Sequence, residues 1–131
     1  MDVLIEINAE DEQSKTGIAS ENLYELLYHI SKLSNVKVKG LMAIPPKAFS
    51  VDKNLIFSTN MEQNVNILQT NDLSGHYFKK IYQIFLDISA KKIDNISMEI
   101  LSLGMSADFC QAILEGSNLI RPGRAVFGER T

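Results

Sequence analysis

The chain has 131 residues, of which 45% are hydrophobic and 22% charged, and its formal net charge is −3. This composition is typical of one globular domain, and it argues against nucleic-acid binding because the basic residues are scattered rather than clustered. No apolar run approaches the roughly 20 residues of a membrane span, and we expect no export signal because no charged-then-apolar leader opens the chain. The single cysteine, Cys110, excludes a disulfide framework and favours the reducing cytoplasm.

The first predicted strand covers 3–8, where apolar and polar residues alternate. Its odd-numbered residues form an apolar face. Its even-numbered residues include Glu6 and Asn8, and they form a face too polar to be covered by a helix. Ser20 is a candidate N-cap for a helix that runs to about Leu33.

The second predicted strand, 36–43, is stopped by two prolines. The polar region 47–72 then lacks a clean period and is interpreted as a long loop, either a lid or, as we favour, a tolerated insertion. The remaining predicted elements are a long helix at 76–91, a strand at 98–103, a short helix at 107–115 ended by Gly116, and a strand at 118–121.

Strands and helices that alternate at this spacing favour right-handed crossovers and a parallel sheet, hence an α/β fold. A strand face that holds polar side chains suits the inside of a (β/α)₈ barrel better than a flat, doubly covered sheet. Four strands are half of such a barrel. We therefore expect two open sheet edges, at 3–8 and 118–121, and an exposed inner face.

Two turns rich in small residues bracket the short helix predicted at 107–115. They are Gly104–Ser106 and Gly123–Arg124, and each follows a predicted strand. Their backbone N–H groups and the Ser106 hydroxyl can converge on one anionic group, for which a phosphate is the best match. The sequence thus predicts half of a cofactor site.

Two other residues of that predicted helix are interpreted as structural. Cys110 lies beside apolar neighbours, so we expect a packed rather than a reactive thiol. Asp108 is a carboxylate in the first turn, where the helix dipole favours it. The two histidines, His29 and His76, lie on separate helices and suggest no metal site.

Five stretches, in chain order, resemble the pyridoxal phosphate homeostasis protein family, whose members are similar to the N-terminal barrel domain of alanine racemase. The resemblance covers nearly the whole chain outside 47–72 and is closest to the second half of that barrel, its strands five to eight. It implies that 1–131 is a single half-barrel domain. The matching stretches are Val3–Asn8, Glu12–Ile18, Val38–Ile44, Leu101–Asp108 and Arg121–Gly128.

The resemblance implies that pyridoxal 5′-phosphate binds at the carboxyl ends of the strands, with a role in vitamin B6 and amino-acid homeostasis and no established catalytic turnover. Ser106 would donate to the cofactor phosphate together with the backbone of the two turns. Arg121 would approach the pyridine nitrogen. The cofactor-binding residues that the resemblance implies are Ser106, Arg121, Gly123, Arg124, Gly104, Met105 and Lys15.

Arg121 follows Ser106 by fifteen residues, and the resemblance to alanine racemase gives the same spacing there. An arginine cannot readily give up its proton, so the ring nitrogen beside it stays unprotonated and the cofactor is a weaker electron sink. This suits a carrier better than a broad-range enzyme.

The chain departs from the family at three points. The family's Schiff-base lysine ends the first barrel strand, and no strand in this chain corresponds to it. Lys15 matches a lysine of the family motif and is either a secondary amine for the cofactor or a lysine that closes the loop or faces water. Arg124 stands where the family often has a small hydroxyl residue, and it either adds a phosphate contact or crowds the site.

Three hypotheses of function follow. The first is a non-catalytic protein that binds pyridoxal phosphate. The second is a half-barrel interaction module that self-associates or pairs with a separate N-terminal half. The third is a racemase-like enzyme, ranked last because the catalytic lysine and a second catalytic domain are missing.

Overall fold

The computed structural model describes residues 1–9, 16–46 and 73–129. Within these ranges five parallel strands form one sheet in the order β2-β1-β3-β4-β5, which confirms the α/β class and the parallel sheet. The elements are β1 (Asp2–Asn8), β2 (Ile18–Ala19), a 3₁₀ turn (Ser20–Asn22), α1 (Leu23–Ser31), β3 (Lys37–Ala43), α2 (Leu73–Ala90), β4 (Ile96–Met105), α3 (Phe109–Leu114), β5 (Leu119–Arg121) and α4 (Gly123–Phe127).

One face of the sheet packs against helices and forms the core. In the strand register Ile5 pairs with Leu41, and Leu41 pairs with Leu101, so these odd-numbered residues share a face. Leu27 of α1 and Phe78 of α2 are fully buried in the same cluster. The predicted apolar face of the first strand is therefore confirmed.

The opposite face of the sheet is the polar one that the sequence predicts. Glu6 pairs with Met42, and Met42 pairs with Ser102, so these three residues form one row across β1, β3 and β4. Glu6 and Met42 are half-buried, whereas Ser102 is buried. This row leads from β1 toward β5.

The prediction that 3–8 is an open sheet edge is wrong in its second half. The two-residue strand β2 pairs with the end of β1, through Ile7 with Ile18 and Asn8 with Ala19. The other predicted edge is correct among the described strands, because β5 is the last strand of the sheet. Sequence patterning missed β2 because two residues show no alternation.

The starts of the two long helices also differ from the prediction. Ser20 is not a side-chain cap: it begins a 3₁₀ turn, and α1 starts only at Leu23. The helix predicted from His76 begins three residues earlier. Ser74 is buried there, and a Cβ on Gly75 would lie 2.9 Å from the Gln111 side chain, so small residues bring α2 close to α3.

The region around α3 brings a correction and an addition. Cys110 is exposed, so the expected packed thiol is wrong: the residue lies on the outer side of this six-residue helix. Gly116 follows α3 with φ +105°, a conformation that favours glycine, as predicted for the end of this helix. The helix α4, after β5, was not predicted because five residues are too few to show a period.

Two expectations fall outside the described residues: the loop at 47–72 and any role of Lys15. In the part of the chain that the structure describes, no helix is long and apolar enough to cross a membrane.

Candidate functional site

A cavity of about 780 Å³ opens at the carboxyl ends of β4 and β5, and we call it the carboxyl-end cavity. Its volume lies within the range of small-molecule sites. Of the seven residues predicted to bind a cofactor, five line it: Met105, Ser106, Arg121, Gly123 and Arg124. Residues 15 to 19 positions apart in the sequence meet there because parallel strands bring their carboxyl ends to one edge.

The turn after β4 is closed by Asp108. Its carboxylate accepts a hydrogen bond of 2.7 Å from the Met105 N–H, and its own N–H donates to the Met105 carbonyl at 3.1 Å. Asp108 is the N-cap of α3 and not a first-turn residue as predicted, and its observed contact shapes the turn. Since the Met105 N–H is used in this way, Met105 contributes to the cavity wall and not as a backbone donor.

Ser106 lies at the centre of this turn and faces α4. Its oxygen accepts a hydrogen bond of 2.9 Å from the Ala125 N–H. The bond occupies one lone pair of the oxygen and leaves the O–H proton as a donor. Ser106 therefore connects the two predicted turns and can also donate to an anion in the cavity.

Gly123 and Arg124 are the first two residues of α4. N–H groups in the first turn of a helix have no intrahelical acceptor, and among the described residues these two have no other. A Cβ on Gly123 would meet nothing within 4 Å. The backbone here is open to a ligand that enters the cavity.

Arg121 ends β5 and crosses the sheet. Its guanidinium donates to the carbonyl of Ser102 at 2.9 Å, to the Ser102 hydroxyl, and to the carbonyl of Ala43 at 3.2 Å. Three of the five guanidinium N–H groups are used, so two remain for a ligand. Partial burial lowers the pKa of Arg121, while Asp108 and Glu6 oppose this shift. The group stays positively charged near neutral pH, because an arginine pKa starts so high.

Gly104 lies apart from the cavity wall. It has φ +100°, and a Cβ there would come within 2.8 Å of the Ala112 Cβ and 2.9 Å of the Phe109 Cα. This glycine lets β4 approach α3 closely. Its predicted part in anion binding stays a prediction.

Sequence reasoning missed the residues that hold β5 in place. The buried Ser117 hydroxyl lies within hydrogen-bond distance of the Leu103 N–H and of three backbone carbonyls. The Asn118 side chain accepts from the Leu101 N–H at 2.8 Å and donates to the Glu99 carbonyl at 2.8 Å. Serine and asparagine after a glycine signal only a turn in sequence. Here they fix the strand that bears Arg121.

A second, smaller cavity of about 120 Å³ lies at the end of β1. The Thr16 hydroxyl donates to Glu6 Oε1 at 2.8 Å on its wall. Ile44 lines this cavity and the carboxyl-end cavity, so the two adjoin. The described residues contain no cluster of metal-ligating side chains.

Sequence comparison finds similar proteins in several bacteria. The chain is 36% identical over 129 residues to the pyridoxal phosphate homeostasis protein of Aquifex aeolicus, a match that covers 98% of this chain and 47% of that protein. It is 33% identical over 131 residues to the protein of the same name from Escherichia coli K12, with 99% and 46% covered. The chain thus spans about half the length of these curated relatives.

Structural comparison finds the same fold in solved proteins. A crystal structure of an unknown protein from Bifidobacterium adolescentis matches with a TM-score of 0.71 at 25% identity, over 96% of this chain and 42% of that one. PipY of Synechococcus elongatus, solved with PLP bound, matches with a TM-score of 0.65 at 20% identity, over 97% of this chain and 49% of that one. At that identity PipY supports the fold alone.

The sequence profile of a known family also matches this chain. The profile describes the N-terminal domain of alanine racemase, and the match extends over residues 1–131. The parallel β/α architecture and a cavity at the carboxyl ends of the strands agree with this match. The chain therefore belongs to the alanine racemase N-terminal domain family.

Proposed function

We propose that this chain binds pyridoxal 5′-phosphate chiefly through the phosphate and serves vitamin B6 and amino-acid homeostasis without catalytic turnover. The observation that supports this best is the meeting of Ser106, Arg121, Gly123 and Arg124 on one cavity. Relatives named pyridoxal phosphate homeostasis proteins and a PipY structure with PLP bound point to the same ligand.

In this proposal the phosphate accepts hydrogen bonds from the Ser106 hydroxyl and from the backbone N–H groups of Gly123 and Arg124. Charge-assisted bonds of this kind are stronger than neutral ones. The Arg124 side chain lines the cavity and adds a second positive charge. We propose that it contributes a phosphate contact rather than crowding the site.

The proposed role of Arg121 is to face the pyridine nitrogen. Ser102 and Ala43 fix its guanidinium, and two N–H groups remain to donate. The bound cofactor would supply an aldehyde and an electron-accepting ring. An arginine that keeps its proton leaves the ring nitrogen unprotonated, which weakens that electron acceptance and favours a carrier over an enzyme.

We further propose that the chain corresponds to the second half of the barrel, strands five to eight, and lacks the strand that bears the Schiff-base lysine. The order of the matching motifs supports this, and coverage of 46–47% of the relatives agrees with half a barrel without indicating which half. Cofactor affinity should then be weak and mostly noncovalent, on the order of high micromolar. The single cysteine is compatible with a reducing compartment, and we propose the cytoplasm.

A second candidate function is an interaction module. The edge strand β5 offers backbone groups for pairing, and Leu114, Leu119 and Phe127 are exposed around it. These features favour self-association or pairing with a separate N-terminal half. Light scattering tests the first possibility: we expect a dimer or larger assembly, and a monodisperse monomer at micromolar concentration would count against it.

Equilibrium dialysis against pyridoxal phosphate separates the two functions. A cofactor-binding protein retains the ligand, and Ser106→Ala reduces the retained amount. Ser97→Ala, near the opposite end of β4 and outside the cavity, is the matched control and should leave retention unchanged. A pure interaction module retains none, whereas racemisation of alanine by the chain would support an enzyme.

A further inference from the structure

Glu6 lies on the open face of the sheet, in line with the residue that supports Arg121. The register joins Glu6 to Met42 and Met42 to Ser102, to which Arg121 donates. Two strand spacings of about 4.8 Å put Glu6 and Ser102 about 10 Å apart. The Glu6 carboxylate and the Arg121 guanidinium, which reaches Ser102 and Ala43, thus lie on the same face of the sheet.

One oxygen of the Glu6 carboxylate is open to a ligand. Oε1 accepts from Thr16 at 2.8 Å, and within the described ranges Oε2 has no hydrogen-bond partner. Glu6 lines the smaller cavity, which adjoins the carboxyl-end cavity at Ile44. A ligand that occupies the carboxyl-end cavity can therefore extend to Glu6.

The charges along this path differ from one end to the other. Arg121 and Arg124 line the phosphate end together with the carboxylates of Asp108 and Glu129, of which Asp108 is bonded to the Met105 N–H. At the β1 end Glu6 is the charged side chain that the described residues place on the wall of the smaller cavity. A cationic group of a phosphorylated ligand would be repelled from the arginines and attracted to Glu6.

We infer that Glu6 forms a subsite for the primary ammonium group of a phosphorylated pyridine amine. The inference rests on the proposed function, since Arg121 and the two turns at Ser106 and at Gly123–Arg124 hold the rest of the ligand. In this proposal a pyridine ring would place its nitrogen at Arg121 and direct a one-carbon amine substituent, opposite that nitrogen, toward Glu6. The subsite selects the amine form of the ligand over the forms with a hydroxyl or an aldehyde at that position.

Calorimetric titrations with pyridoxamine 5′-phosphate and pyridoxine 5′-phosphate test the subsite, because these ligands differ only in an ammonium or a hydroxyl group on one carbon. We expect the chain to bind the amine about 2–5-fold more tightly at low salt, the range of a partly exposed ion pair. The preference should shrink as salt is added. It should disappear in Glu6→Gln and persist in Glu25→Gln, which removes one exposed carboxylate from the outer helix α1.

The outcomes separate this inference from the function beneath it. Equal binding of the two ligands by the unaltered chain overturns the subsite and leaves the phosphate site standing. A preference that survives in Glu6→Gln or does not respond to salt also overturns it. If the chain binds neither of the two ligands, both the proposed function and the subsite are overturned. The comparison within the unaltered chain decides the matter even if Glu6→Gln fails to fold.

Discussion

The Ser106 hydroxyl accepts a 2.9 Å hydrogen bond from the backbone N–H of Ala125. This bond ties the turn after β4 to the helix after β5. Two turns that the sequence suggested separately are thereby joined into one cavity wall. The position of β5 then decides whether Arg121 reaches the same cavity.

Replacing Arg121 should weaken binding of pyridoxal phosphate more than any other change on β5. Arg121→Ala removes the charge-assisted hydrogen bond to the pyridine nitrogen, and a bond to a charged group contributes about 1.5–3 kcal/mol. Calorimetric titration should show a loss of at least about tenfold. Ser102→Ala, which removes one acceptor but keeps the Ser102 carbonyl, should produce a smaller loss. An unchanged affinity in Arg121→Ala would contradict its role.

Gly104→Ala should destabilise the fold by about 3 kcal/mol. The backbone φ at this position is +100°, which alanine adopts at a cost, and the added Cβ would lie within 3 Å of Ala112 and Phe109. Urea unfolding measures the difference. Gly123→Ala is the matched control: with nothing within 4 Å of the new Cβ, it should change stability by no more than about 0.5 kcal/mol. Equal losses in the two variants would refute the packing role of Gly104.

Ser117→Ala should lower the free energy of unfolding by about 2 kcal/mol, because the Leu103 N–H loses its buried acceptor. The same variant should weaken cofactor binding, since Ser117 holds the strand that ends at Arg121. Urea unfolding and calorimetric titration report the two effects. Ser31→Ala, at the end of α1, removes an exposed hydroxyl and should leave both unchanged. Unchanged stability in Ser117→Ala would show that its hydroxyl does not secure β5.

The Lys39–Glu99 ion pair should give the fold a dependence on pH. Its hydrogen bond of 2.8 Å lowers the pKa of Glu99 and raises the pKa of Lys39. The ion pair contributes to the stability of the fold at pH values between the ordinary pKa values of Glu99 and Lys39. It is lost as pH falls through the lowered value of Glu99 or rises through the raised value of Lys39.

Thermal unfolding of the unaltered chain and of Glu99→Gln tests this dependence. When the pH is lowered from about 6 to about 3, the melting temperature of the variant should decrease less than that of the unaltered chain. The difference should be small because both side chains contact water. Glu21→Gln, an exposed carboxylate before α1, is the control. The same slope in Glu99→Gln and the unaltered chain would mean that the pair does not affect stability.

The sequence predicted the parts of this molecule that depend on periodicity. Alternation in β1 separated the core-facing Ile7 from Glu6, because successive side chains of a strand point to opposite faces. The turns at Ser106 and Gly123 were found because small residues follow predicted strands. Both features are local in the chain.

What the sequence missed depends on distant contacts. Ser117 and Asn118 look like turn residues, and only the packing of β5 beside β4 reveals their bonds. The exposure of Cys110 depends on which side of α3 faces β4, which six residues do not indicate. The pairing of β2 with β1 likewise requires the chain to return to the sheet.

The most direct test of phosphate-centred binding is a calorimetric titration of the chain with pyridoxal 5′-phosphate and with free pyridoxal. If Ser106, Gly123 and Arg124 hold the phosphate, pyridoxal 5′-phosphate binds in the high-micromolar range, on the order of tenfold or more tighter than pyridoxal. Equal affinity for the two ligands would contradict a phosphate site in the carboxyl-end cavity.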